Sequence, residues 1–229
     1  MYQPAHFVES RPEVLQRLIR EHPFGLLVTD GTSGLAANGV PFLLDPDPAG
    51  GPGVLRAHVA RANPVWKEAR SDRDSLVVFQ GPQAYISPAW YPSKAEHGKV
   101  VPTWNYVVVQ GRGAVRFVDD AEWLRAFVTR LTDGHEAGRT AAEGGRGAPV
   151  WAVSDAPADY VETMLKAIVG VEIVLTSLVG KWKVSQNRPR ADREGVAAGL
   201  VHRPGDEATA MAQPEINHIT RRNTWQQNR

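Results

Sequence analysis

FQGPQAYISPAWYPSKAEHGKVVPTWNY, running from Phe79 to Tyr106, decides how the rest of the chain is read. A β-rich run, QAYIS, enters it and another, TWNYVVV, leaves it. Between them lies a long irregular connection that carries Pro and aromatic residues. The stretch holds two of the seven Trp, three of the five Tyr and four of the 17 Pro. Proline fixes φ and lacks a donor, which keeps it out of central strands. A stiff aromatic connection with a few cationic groups suits a planar ligand or a partner subunit. The same aromatics could equally fill a core beneath a loop.

Working outward, 229 residues with 42% hydrophobic content describe an ordinary globular chain with a sizeable core. No apolar run approaches the roughly 18 residues of a membrane span. MYQPAHFVESRPEV lacks the basic and apolar regions of a secretory signal, so a cytoplasmic protein is expected. Cysteine is absent, which removes disulfides, thiolate nucleophiles and Cys-ligated metals. The 26 basic and 25 acidic residues leave a net charge of +1. That balance does not support direct DNA binding, which calls for a basic excess. Arg188, Arg190 and Arg193, and likewise Arg221 and Arg222, read as solvated clusters.

Along the chain, Val14, Leu15, Leu18 and Ile19 mark an early helix that ends near His22, before Pro23. Phe24–Thr29 reads as a buried strand. Asp30-Gly31 with Ser33-Gly34 supplies turn chemistry, and Leu35–Leu44 follows as a second strand. Val54–Val59 is a third. Asn63 and Pro64 open a helix expected to end near Ser71. Two β segments meet at Gly81-Pro82. Gly111 and Gly113 predict a bulge or bend in the strand from Thr103 to Val118. Asp119 caps a helix lined by Trp123, Leu124, Phe127 and Leu131. Gly134–Pro149 reads as a surface loop and Gly170 as a left-handed helix end. From Val201 the chain reads as a polar, loose tail. The pattern gives about seven strands and roughly four or five helices without βαβ alternation. That points to a mainly β protein, an antiparallel barrel with helices packed outside.

Chemistry is legible mostly by exclusion. The seven His show no ligand spacing, so no metal is expected. There is no G-x-S-x-G elbow, Walker loop or G-x-G-x-x-G opening a helix. No catalytic acid or base stands out. What remains is anion and ring binding. In His58-Val-Ala-Arg61-Ala-Asn63-Pro64 a strand ends and a helix begins, where amides and Arg61 could meet a phosphate. The alternative is an Arg61 paired with a carboxylate and an Asn63 that only caps. Lys181-Trp182-Lys183 with Ser185, Gln186, Asn187 and Arg188 gathers donors beside an indole.

Six separated stretches, MYQPAHF, RPEVLQRLIREHPFGLLVT, HVARANPVW, Phe79–Tyr106, DAPADYVETMLKAIVGVEI and GKWKVSQNR, resemble the PaiB family in sequence order. The resemblance spans about residues 1–200, leaving 201–229 as tail. It implies an FMN-binding split β-barrel related to pyridoxamine-phosphate oxidases, with roughly six or seven antiparallel strands. It also implies a homodimer that holds FMN at the subunit interface. By position, Arg61 and Asn63, with His58 nearby, would serve the phosphate side. Tyr85 and Ser87 would flank the cofactor. Trp90, Tyr91, Ser93 and Lys94 lie on a loop that would close over it. Lys181, Trp182, Ser185 and Asn187, with Gln186, would approach from the other side. The family's ANH-x-PF reads here as Ala37-Asn38-Gly39-Val40-Pro41-Phe42, and where GHVARANP is usual this chain has Arg56-Ala57-His58. The family is described as negative transcriptional regulators, which implies a regulator or flavin sensor. The alternative is a flavin-dependent oxidoreductase acting on a small molecule.

Overall fold

A computed structural model describes residues 1–144, 147–202, 210–212 and 214. Its strands are β1 (Val8–Glu9), β2 (Phe24–Gly31), β3 (Gly34–Pro41), β4 (Leu43–Asp45) and β5 (Val54–Ala60). They continue with β6 (Asp74–Ile86), β7 (Thr103–Val118), β8 (Ile168–Val174) and β9 (Ser177–Lys183). The helices are α1 (Pro12–Glu21), α2 (Val65–Glu68), α3 (Ser93–His97), α4 (Ala121–Ala142), α5 (Ala158–Lys166) and α6 (Arg190–Val201). The sequence count of about seven reads β3 and β4 as one strand, counts β6 as two segments and lacks the two-residue β1. The architecture is a mainly antiparallel sheet with helices, of the split-barrel class.

The chain forms two compact units, each assembled from distant segments. The first takes residues 1–18, 79–110 and 179–229, and the second 19–78 and 111–178. The strand path runs β3-β2-β6-β7-β8-β5-β4. Its two ends are neighbours in sequence. The segment Gly34–Asp45 pairs with β2 through Val40↔Gly25 and Asn38↔Leu27, then with β5 through Leu43↔Arg56 and Leu44↔Leu55. Phe42 stands at the change of partner, buried, with its amide donating to the Pro23 carbonyl at 2.9 Å. Period-two alternation sends Leu55, Ala57 and Val59 inward, where Leu27, Val77, Val171 and Ile173 are also fully shielded. Gly31↔Gly34 closes the predicted β2–β3 turn, with Gly34 at φ 99°.

Four sequence expectations are corrected here. Gly113 does not interrupt β7, which is one continuous strand. A Cβ there would stand 2.1 Å from the Val174 carbonyl oxygen, so the glycine permits close approach of β8. Gly134 and Gly138 lie inside α4, which runs on to Ala142, rather than in a surface loop. Gly170 sits within β8, not at a helix end. The cap of α4 is Asp120, whose carboxylate accepts from the Trp123 amide at 2.7 Å, and not Asp119.

In the first unit β1 pairs antiparallel with β9, and β9 with β7. The connection between β6 and β7 contains a 3-10 turn, Pro88–Trp90, and the short helix α3, ended by Gly98 at φ 66°. It is more regular than its proline content suggests. Trp90 lies on α6, where a Cβ on Gly199 would fall 2.3 Å from its ring. The β6 strand is continuous through Pro82, because its ladder with β2 covers only Leu76–Val78. Of the tail, Met211 and Ala212 are buried, while Arg221, Arg222 and most of 203–229 lie outside the described residues.

Gly113→Ala is expected to cost about 2 kcal/mol, because the clashing atom is backbone. Thermal unfolding should show a Tm lowered by about 5 °C. An unchanged Tm would mean that β7 and β8 separate there without cost.

Candidate functional site

In the second unit a cleft of about 270 Å³ opens between the β2–β3 hairpin and α2. Thr29, Ala36, Asn38, Asn63, Val65 and Glu68 are among its walls. Asn63 is fixed on both sides. Its Nδ2 donates to Asn38 Oδ1 at 2.7 Å and its Oδ1 accepts from the Val65 amide at 3.0 Å. The N-cap of α2 is Pro64 rather than the expected Asn63, whose side chain instead takes the amide of the first helical residue, and α2 is one turn long, ending at Glu68 rather than Ser71. Asn38 keeps its own amide N–H₂ without a protein partner among the described residues. Thr29 Oγ1 is buried with none either, on a residue 2% exposed. An orphaned buried hydroxyl is costly in an empty site, and a ligand that bonds it relieves that cost.

Arg61 and His58 do not join this cleft. Arg61 Nη1 and Nη2 grip the Asp119 carboxylate at 2.8 and 2.6 Å. Its Nε donates to the Lys166 carbonyl at 2.6 Å, and Nη2 also to that of Ile168 at 3.1 Å. Four of the five guanidinium donors are thus occupied by protein. A helix as short as α2 also gives no strong N-terminal dipole for a phosphate. His58 lies on the outer face of β5, edge-on to Phe127 of α4 at 5.8 Å. Its Nδ1 is buried without a partner, and burial holds the imidazole below its ordinary value near 6.5. Arg56, on the same face, binds Asp45 and donates through Nε to Glu172 at 2.9 Å. Glu172 also receives Arg116 Nη2 at 2.6 Å. Burial would raise the Glu172 carboxyl, but the Arg116 and Arg56 hydrogen bonds outweigh it and hold it below the usual range. Arg56 is therefore a sheet-bracing ion pair, removed from the cleft's donors.

The first unit holds the remaining sequence candidates. Tyr85 meets Trp104 edge to face at 6.2 Å, and both are exposed. Lys181 is buried beside Tyr106, and Lys183 donates to Thr103 Oγ1 and the Trp104 carbonyl. Ser185 adopts φ 56°, unusual outside glycine, and its Oγ accepts from Asn105 Nδ2 at 2.8 Å. Gln186 folds back to its own strand through Val184 N and the Trp182 carbonyl. Ser93 donates to the buried Asp192 at 2.7 Å, and Ser87 accepts from Ala89 N at 3.2 Å. Lys94 and Asn187 are exposed. The structure thus gathers Tyr85, Lys181 and Ser185 in one unit and Asn63 in the other. Ser87, Ser93 and Trp90 are committed to local packing. Thr29, Asn38 and Trp104 were not among the sequence candidates. A Thr inside a strand carries no signal, but Asn38 and Trp104 stood in the quoted motifs.

Residues 1–177 match the family model described as "Putative FMN-binding domain". The chain belongs to this FMN-binding family. It is 34% identical to an uncharacterized Emericella nidulans protein over 93% of this chain and 95% of that one. It is 31% identical to protease synthase and sporulation protein PAI 2 of Bacillus subtilis, again over 93% and 95% of the two chains. Among solved structures, the conserved hypothetical protein Rv2991 of Mycobacterium tuberculosis superposes with a TM-score of 0.54 at 15% identity, covering 82% and 94%. That likeness is one of fold. The PaiB resemblance stands, and FMN is the cofactor. The cleft of the second unit holds donors that suit it: an orphaned hydroxyl and an amide for the polar chain and ring edge.

Two outcomes follow from the displaced candidates. Arg61→Ala should lower Tm while FMN affinity stays within about twofold, since the guanidinium is already engaged. A large loss of affinity in titration would return Arg61 to the site. For His58 the folded pKa is depressed, so the unfolded chain takes the proton first. Stability is complete above about pH 6.5 and falls as pH drops through it. Denaturant titrations should show this slope in the wild type and a flatter one in His58→Phe; equal slopes contradict it.

Proposed function

We propose that this FMN-binding protein is a flavin-responsive regulator of the PaiB type that works as a homodimer. The observation that carries the reading is the character of the groups left for a ligand. They are donors and ring faces, with no carboxylate–imidazole or carboxylate pair arranged for proton transfer among the described residues. Such a set binds and orients. Thr29 Oγ1, the Asn38 amide and the Asn63 amide would hold the hydroxyl chain and pyrimidine edge of FMN. When bound, FMN supplies a two-electron redox centre. The Bacillus subtilis relative's name, which concerns protease synthase and sporulation, supports a regulatory role. The net charge of +1 argues that any DNA contact is local or made through a partner.

The homodimer has support in an apolar outer face. Phe24, Leu26 and Leu35 point the same way on β2 and β3, and all are exposed. Gly39, where the family has His, lies on that face beneath the Phe24 ring, which a Cβ would meet at 2.7 Å. A second copy would cover this face. The oxidoreductase reading keeps one observation in its favour: the Tyr85–Trp104 pair is open to a small molecule.

Thr29→Val separates binding from folding. It removes a hydroxyl without a partner, so the FMN-free protein should gain about 1 kcal/mol. FMN affinity should fall roughly fivefold or more, read by flavin fluorescence quenching. Unchanged affinity removes Thr29 from the site. Regulation is tested by titrating fluorescent duplex from the protein's own upstream region, with oxidised and reduced FMN. Binding that exceeds scrambled duplex and changes with flavin state supports the reading. Equal weak binding, together with turnover of a small-molecule oxidant, favours the enzyme.

A further inference from the structure

Lys181 of β9 is only 7% exposed. The rings of Tyr106, Tyr2 and Phe7 stand 5.3, 5.5 and 6.0 Å from its ammonium. Its one hydrogen bond goes to the Tyr2 carbonyl at 3.0 Å. Among the described residues no carboxylate pairs with it. An ammonium carries three donors, and a buried cation normally has a counter-ion. Ring faces offset part of that cost and give no anion.

What closes over this cation is the chain's own N-terminal arm. Val8 of β1 lies opposite Lys181 and Glu9 opposite Gly180. Upstream, the turn Ala5–Phe7, closed by the Phe7 amide on the Pro4 carbonyl at 2.8 Å, reverses the chain. Tyr2 thereby returns to the same lysine. Gln3 Nε2 pins the arm by donating to the Gly180 carbonyl at 2.8 Å. Tyr2 itself is 82% exposed, so little packing holds it down.

We propose that Lys181 and its rings form an anion site that the arm occupies, with Tyr2 and Gln3 as a displaceable strap. The Tyr2 carbonyl oxygen then stands where a ligand oxygen would sit. The ligand class is a phosphate group, supplied by FMN or by a free phosphate ion. The FMN source rests on FMN being the cofactor, and not on the Thr29–Asn38 cleft; the strap rests on neither.

Three probes separate these points: FMN, riboflavin, which lacks only the phosphate, and inorganic phosphate. The strap is read independently by amine acylation of Lys181, followed by peptide mass spectrometry. In Gln3→Ala, Lys181 labelling should rise about threefold or more, and FMN affinity by a similar factor, with riboflavin unchanged. Adding Lys181→Gln, or Lys181→Met should the first variant fold poorly, should abolish the FMN gain. FMN that fails to bind while inorganic phosphate suppresses the raised labelling would end the FMN source and leave the strap in place. Labelling unchanged in Gln3→Ala overturns the strap. Raised labelling that neither phosphate nor FMN suppresses overturns the anion site, as does an FMN gain that survives loss of Lys181.

Discussion

The change of partner at Phe42 is the constraint on which the second unit depends. One segment leaves β2 and joins β5, so the strand path begins and ends on the same piece of chain. A buried ring and the amide bond to Pro23 hold the change in place. Because side chains alternate along strands, that register also sets function. It turns Phe24, Leu26 and Leu35 outward and brings Asn38 against Asn63. A slip by one residue would exchange those faces.

A second theme is how few polar groups remain for a ligand. Arg61 is spent on Asp119 and two carbonyls, Arg56 on Asp45 and Glu172, and Ser93 on Asp192. For Arg61 and Ser93 the sequence suggested ligand binding, and the fold found a nearer acceptor. The groups left over are quieter ones, Thr29 and Asn38, and a lysine covered by the chain's own arm. Neutral donors and aromatic faces match a cofactor that brings its own chemistry and asks the protein for orientation and local charge.

Much of the fold could be read in the sequence, because it rests on local signals. Turn residues at Asp30–Gly34, the apolar stripe of α1 and period-two runs in β5 and β7 all act within a few residues. The expectations that failed depended on distant partners. Gly113 looked like a bend until the Val174 carbonyl was found beside it, and Asp119 looked like a cap while Arg61, far away in sequence, claimed its carboxylate. Family motifs pointed to Asn63, Tyr85 and Lys181, which lie in polar or aromatic surroundings. They could not show that Trp90 lies on α6 or that His58 faces α4. Those assignments need the three-dimensional packing of elements far apart in the chain.

The central claim, that this chain is built to hold FMN, is tested most directly by stoichiometry. The purified protein is incubated with FMN, desalted, and its absorbance read before and after acid release of flavin. The expected result is about one FMN retained per chain, with a visible band perturbed from that of free FMN. A colourless protein after desalting, at any FMN concentration tried, would contradict it.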